Sequence, residues 1–299
     1  MHAIRTRTVE ANGLRFAVDE AGEGDAVALC LHGFPESRRS WRHQLPALAA
    51  MGWRAVAPDM RGYGGSSRPA GKDAYRLDAL VADAAALFDA LGARRRLLVG
   101  HDWGGMVAWV FAIRQARPLD GLVVLNIPHP ARFREELRRS WRQRMRSWYI
   151  ALFQLPRLPE ALLTARHAAA IGRAITGTAM RPERFGPEII AHYRDNAVQP
   201  GAMTAMLNYY RANFSAKGVA ADTGMVAVPT LLIWGEADTA LDIILVPGTE
   251  RYVPQLTVHR LPGVSHWVQQ EAPDEVNAAI EAWLAAQPAA QGPALASRS

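Results

Sequence analysis

At 299 residues, with 49% apolar and 21% charged positions, the chain can bury a large core and has the composition of an ordinary globular protein. Its formal charge of +6 comes almost wholly from arginine, because Lys72 and Lys217 are the only lysines. One cysteine, Cys30, excludes an intrachain disulfide. With no apolar run long enough to span a membrane and no apolar signal stretch at the N-terminus, a cytoplasmic protein is expected.

Residues 4–19 read as two strands joined at Asn12-Gly13, a hairpin signal. Val27 to Leu31 is a continuous apolar strand that carries Cys30 as a small buried hydrophobe. It enters the loop His32-Gly33-Phe34-Pro35-Glu36, and a helix from about Trp41 to Met51 follows. Arg54 to Pro58 is the next strand, and Asp59 to Ser67 a long flexible turn. An amphipathic helix from Leu77 to Leu91 stops at Gly92. The strand Leu97 to Val99, a helix from Met106 to Ile113 and the strand Gly121 to Leu125 continue the alternation. Strands alternating with helices imply a parallel sheet whose ligands lie at the carboxyl ends of its strands.

The rhythm breaks at Asn126-Ile127-Pro128-His129-Pro130, after which helical periodicity runs to about Gly218. It resumes with strands at Val228 to Trp234 and Gln255 to Leu261, and a last helix from Pro273 to about Ala286. The expected organisation is therefore a core of residues 1–128 and 219–286, an inserted all-helical cap over 129–218, and a disordered tail over 287–299. Seven arginines crowd the stretch Arg132 to Arg146. Phe133, Leu137, Trp141, Met145 and Trp148 recur there at helical spacing, so the arginines read as a solvated helix face. No basic motif interleaved with aromatics points to nucleic acid elsewhere.

The chemistry centres on Gly100-His101-Asp102-Trp103-Gly104. Gly-x-Asp-x-Gly between a strand and a helix has the shape of a nucleophile elbow, with aspartate where serine usually stands. Small residues flank it because a side chain there would strike the neighbouring strand or helix. An N-capping aspartate in a glycine-rich turn is the plainer alternative. An elbow nucleophile needs an acid and a histidine later in the chain. Asp238 follows the strand ending at Trp234, and His266 follows the one ending at Leu261. Asp242 competes with Asp238 for the acid role.

A carboxylate nucleophile restricts the reaction. Attack on an acyl carbon would give an anhydride, with little gained. Attack on a saturated carbon gives an ester, which water activated by His266 can cleave. The substrate should therefore be an epoxide or a halide. The oxyanion formed in the second step would be held by the backbone N–H groups of Phe34 and Trp103. An epoxide oxygen also needs acidic O–H donors, and the cap offers two. Tyr149 lies on the face set by Trp141, Met145, Trp148 and Leu152. Tyr210 lies on the face Met203, Met206, Leu207, Tyr210, Phe214, whereas Tyr209 points about 100° away. Phe34, Trp103, Trp148, Phe153, Leu207 and Trp267 are expected to line the cleft.

These motifs resemble the soluble-type epoxide hydrolases of the α/β-hydrolase fold from about Asn12 to Ala286. The resemblance rests on His32-Gly-Phe-Pro-Glu-Ser37, Asp59-Met-Arg-Gly-Tyr-Gly64, Gly100-His-Asp-Trp-Gly-Gly105 and Gly263-Val-Ser-His-Trp267. Its specific part is Tyr149-x-x-x-Phe-Gln-x-Pro156 with Asn208-Tyr-Tyr-Arg211. It implies a mostly parallel sheet flanked by helices with a helical cap. It implies Asp102 as nucleophile, His266 and Asp238 as the water-activating pair, Tyr149 and Tyr210 as proton donors, and a cis bond at Phe34-Pro35. The substrate would be a small hydrophobic epoxide together with water, with no cofactor, metal or nucleic acid, in a monomer or homodimer. Dehalogenases share the nucleophile. The haloalkane type tends to carry Asn where Phe34 stands, and the fluoroacetate type resembles Asp-Arg-x-x-Arg where this chain has Asp102-Trp-Gly-Gly-Met106. The Trp103 indole could still serve a halide. A non-catalytic binding module on the same scaffold is the remaining alternative.

Overall fold

A computed structural model describes residues 2–215, 218–219 and 221–287. Past Gln287, the expected tail lies outside the described residues. Strands β1 (Arg5–Ala11) and β2 (Leu14–Ala21) form the expected hairpin. Asn12 and Gly13 turn it at φ of 49° and 69°, the left-handed pair that a two-residue turn requires. Next come β3 (Ala26–Leu31), α1 (Gln44–Ala50), β4 (Arg54–Pro58) and α2 (Leu77–Ala90). They are followed by β5 (Arg95–His101), α3 (Trp103–Ile113) and β6 (Gly121–Leu125).

Six helices then intervene: α4 (Pro130–Arg139), α5 (Trp141–Arg146), α6 (Trp148–Phe153), α7 (Leu158–Thr176, broken at 165–168), α8 (Pro187–Val198) and α9 (Ala202–Asn213). A two-residue pairing of β7 (Phe214–Ser215) with β8 (Gly218–Val219), not expected from the periodicity, closes this stretch. The chain finishes with β9 (Thr230–Gly235), β10 (Leu256–Leu261), a single turn α10 (Val268–Glu271) and α11 (Pro273–Ala286).

The sheet order is β1-β2-β4-β3-β5-β6-β9-β10, parallel from β4 onward. Alternation within each strand divides the core in two. Leu29, Leu31, Leu98, Val124 and Trp234 face α2, α3 and the intervening helices. Ala28, Cys30, Val99, Leu125 and Ile233 face α1 and α11. Both faces being covered explains why the central strands read as unbroken apolar runs. Cys30 is fully buried, and burial pushes its thiol up, so it packs as a small hydrophobe. No helix among the described residues is long and apolar enough to cross a membrane.

Two local expectations shift. The helix expected over Trp41 to Met51 is a 3-10 turn at Arg38–Trp41 followed by the shorter α1. The turn Asp59 to Ser67 is a packed loop. Its Asp59 is fully buried and accepts hydrogen bonds from the Arg38 and Gly65 amides, and the Ser66 hydroxyl donates to the Asp59 carbonyl.

Candidate active site

The parallel strands deliver their carboxyl ends to one edge, and the chemistry-bearing loops gather there. Between β5 and α3, Asp102 makes the turn alone at φ 49°, ψ −119°, a conformation that side-chain-bearing residues avoid. The turn works because its neighbours carry no Cβ. A Cβ on Gly104 would stand 2.1 Å from the Leu31 carbonyl oxygen, and one on Gly33 would stand 2.4 Å from the Asp102 Cβ. Asp102 makes no side-chain cap to α3, which removes the N-cap reading and leaves its carboxylate unbonded to the helix at whose N-terminus it stands. The Phe34 backbone N–H donates to Asp102 Oδ1 at 2.9 Å, beside a cis Phe34-Pro35 bond. The Trp103 amide is the first of α3, and its ring is buried against Tyr210 at 5.0 Å between centroids.

The loops after β9 and β10 bring Asp238 and His266 to the elbow. Asp238 Oδ2 lies 2.6 Å from His266 Nδ1, and His266 Nε2 lies 3.7 Å from Asp102 Oδ2. Asp238 also accepts from the Asn126 amide and from the Ala240 and Leu241 backbone N–H groups, each at 2.8 Å. Burial alone would raise its pKa. The His266 charge and hydrogen bond, with Asn126 and the Leu241 amide, outweigh that and hold it below the usual range. Burial would likewise lower His266, but Asp238 first, then Asp102 and Glu36, raise it to about 9. The resting imidazole is therefore protonated at neutral pH. Asp242 is engaged elsewhere: it caps the turn at Ile244 and pairs with Arg142 and Arg146.

Beneath the histidine is a layer that periodicity could not reveal. His101 Nδ1 meets Glu36 Oε2 at 2.8 Å, and its Nε2 meets the His266 carbonyl at 2.9 Å. Glu36 is fully buried and also receives Gln269, Gln270 and the Gly33 amide. Burial would raise Glu36, but the His101 charge and hydrogen bond hold it low. Asn126, which clamps Asp238 to the end of β9 through Gly235, was equally invisible. The available signal was a cluster of polar residues inside otherwise apolar loop edges.

Above the carboxylate, α6 and α9 supply Tyr149 and Tyr210, their rings 6.0 Å apart. With Asp102, Trp103, Met106, Phe133 and Leu241 they line a cavity of about 340 Å³, open mouth included. Burial, then the Asp102 charge, pushes both phenols well up, so both keep their protons. Phe34 and Phe153 stand edge-on to the Tyr210 ring. Tyr209 turns away and donates to the Arg61 carbonyl at 2.8 Å. Trp267 lies beside the His266 ring, 5.0 Å between centroids, and its indole donates to Thr178.

Of the six expected lining residues, Trp103 alone is on this cavity; Phe34 and Phe153 pack against the Tyr210 ring, Trp267 packs against His266, and the other two are farther off. Trp148 is 62% exposed on the outside of α6. Its spacing misleads because the run from Arg132 is three helices, not one. Ser140 and Ser147 interrupt it and reset the helical phase. Trp141 and Met145 are exposed for the same reason. Leu207 is fully buried but does not line the cavity. Helix α9 is buried on nearly every side, so its apolar residues do not share a single cleft-facing stripe.

Known proteins resemble the chain in sequence and in fold. The family model described as the alpha/beta hydrolase fold matches residues 27–273. Epoxide hydrolase 4 of Mus musculus is 39% identical over 284 residues, covering 92% of this chain and 78% of that one. Epoxide hydrolase A of Mycobacterium tuberculosis is 36% identical and covers 95% of this chain and 98% of that one. Among solved structures, a Bacillus megaterium epoxide hydrolase in complex with an inhibitor superposes with a TM-score of 0.87 at 30% identity, over 93% of this chain and 100% of that one. The chain is a hydrolase of the α/β-hydrolase fold and belongs to the epoxide hydrolase family.

Proposed function

We propose that the chain opens a small apolar epoxide to a vicinal diol through an ester on Asp102. The single observation that carries this reading is the pair of protonated phenols, Tyr210 buried and Tyr149 half-buried, their rings 6.0 Å apart on the same cavity as the elbow carboxylate. In this reading residues 1–128 and 219–286 form the catalytic core and residues 129–218 the lid that carries the phenols. A cytoplasmic setting belongs to it, and the single cysteine, fully buried, supports that.

The first step forms a bond from an Asp102 carboxylate oxygen to an epoxide carbon and breaks the ring C–O bond. The departing oxygen takes a proton from Tyr149 or Tyr210, whose raised pKa makes the phenolate a strong base that must recover its proton. The resting His266 imidazolium can return it. Once Asp102 is esterified its negative charge is gone, and one cause of the raised His266 pKa disappears with it. His266 becomes neutral when a base is needed. It then takes a proton from water, whose oxygen adds to the Asp102 carboxyl carbon. The Phe34 N–H, already 2.9 Å from Oδ1, together with the Trp103 amide, holds the resulting oxyanion. Collapse expels the substrate oxygen as an alkoxide, which takes the water's second proton from the new carboxyl O–H, leaving the diol, the Asp102 carboxylate and the His266 imidazolium.

Asp238 keeps His266 oriented, and its four hydrogen bonds keep it ionised throughout. Trp103 lines the apolar cavity, Phe34 and Phe153 pack behind its Tyr210 wall, and Trp267 packs against the histidine. Incubation with a panel of aryl epoxides and haloalkanes, scoring diol against halide, tests the reading. Diol from the epoxides is expected, and halide release without diol would replace it with dehalogenation by the same nucleophile.

A further inference from the structure

The outer face of the lid has a composition the chemistry does not use. Trp141, Met145 and Trp148 are 71%, 63% and 62% exposed, and they occur within eight consecutive positions. The chain continues past them to Leu155, Leu158 and Leu162, which are also exposed. Single exposed apolar residues are ordinary, but a run with two indoles marks an interaction surface.

Apart from Glu160, which precedes Leu162 and is paired with Arg211, the charges along this stretch have one sign. From Leu137 to Pro159 there are six arginines and no aspartate or glutamate. Arg142 and Arg146 are turned to Asp242, and Gln143 bonds the Ala240 carbonyl and the Asp242 amide. Those contacts tie the inner side of α5 to the loop that carries Asp238. Arg138, Arg139 and Arg144 are exposed and form no ion pair with a described residue. On the next helix, Tyr149 and Phe153 fill the inside while Trp148 stands outside. The lid is therefore anchored on one side and presents indole, thioether and guanidinium groups on the other.

We propose that this face binds the surface of a lipid bilayer containing anionic headgroups. Indole rings settle at the level of lipid headgroups, where one edge meets hydrocarbon and the N–H meets water. Arginines beside them add attraction to an anionic surface. Charge argues against a second copy of the chain. A twofold interface sets a patch against itself, and here arginines would face arginines with no carboxylate between them. The aliphatic residues Met145, Leu155, Leu158 and Leu162 suit hydrocarbon better than nucleic-acid bases, which stack on planar groups. The inference concerns binding alone and does not rest on the reaction proposed above.

The test is co-sedimentation of the full chain with vesicles of phosphatidylcholine alone and with vesicles of phosphatidylcholine mixed with phosphatidylglycerol. Binding is expected to the mixed vesicles, weakening as salt is added. The variant Arg138→Gln/Arg139→Gln/Arg144→Gln should lose about a hundredfold in affinity for them. The variant Trp141→Ser/Met145→Ser should lose binding even at low salt, with unchanged circular dichroism and Tm. No sedimentation with the mixed vesicles would overturn the proposal, as would equal binding by wild type and both variants. A dimer in sedimentation velocity that Trp141→Ser/Met145→Ser dissociates would assign the face to a second copy instead. Tighter binding to a single-stranded oligonucleotide than to the mixed vesicles would assign it to nucleic acid.

Discussion

The elbow and the lid hold their reactive groups in opposite ways. At the elbow, backbone sterics decide everything: Asp102 occupies a strained turn, and Gly33 and Gly104 leave no room for a methyl group. In the lid, helices are held by side chains. Arg211 bonds the Phe153 and Leu155 carbonyls and pairs with Glu160, linking α9 to the end of α6. Gln154 reaches the Tyr210 carbonyl at 3.4 Å. A site of the first kind tolerates almost no change, whereas one of the second kind can be re-aimed by repacking. In the proposed reaction the difference matches the division of labour: the carboxylate must stay in register with the water that His266 activates, while proton donors must follow the shape of a substrate.

That contrast can be broken or sharpened by mutation. The largest effect is expected from Tyr149→Phe/Tyr210→Phe, which should cut epoxide turnover by about 10²- to 10⁴-fold while the far-ultraviolet circular dichroism stays unchanged. Gly104→Ala should cost about 1–3 kcal/mol in urea unfolding, because the new methyl group meets the Leu31 carbonyl at 2.1 Å and the backbone must give way. Wild-type stability in the Gly104→Ala variant would show that the elbow is less rigid than its geometry implies.

The buried charges make a smaller, pH-dependent contribution. His266 is raised from its ordinary value to about 9 in the folded chain. Its stabilisation is fully present below about pH 6.5 and is lost as pH climbs through the folded value. Tm should therefore fall between about pH 6.5 and about 9, and His266→Gln should flatten that fall. The smallest effect separates the two sides of α6. Trp148→Ala should leave turnover within about twofold of wild type, whereas Phe153→Ala, which removes a ring packed on Phe34 and Tyr210, should lower it.

The same contrast governs what could be read from the amino-acid order. The elbow, the strand ends and the positions of Asp238 and His266 were legible because each requires particular residues at fixed places: glycine beside Asp102, apolar runs in doubly covered strands, a histidine after the last strand. Tyr210 was separated from Tyr209 by helical phase alone, and the two hydroxyls do point apart. Phase failed where the helix itself was interrupted. Ser140 accepts a hydrogen bond from the Gln143 amide as the cap of α5, so spacing counted across it placed Trp141, Met145 and Trp148 inside when they are outside. Asp238 and Asp242 could not be told apart by sequence, because they stand four positions apart on one loop whose path decides which carboxylate faces the histidine. The Glu36–His101 layer was hidden for a related reason: buried polar networks on loops leave no period behind.

The central claim is the covalent ester on Asp102, and intact-protein mass spectrometry of His266→Gln after exposure to an aryl epoxide tests it most directly. The account predicts that the variant gains the mass of one epoxide, that peptide mapping places it on Asp102, and that Asp102→Ala/His266→Gln gains nothing. An unmodified variant that still forms diol, or a label on any other residue, would contradict it.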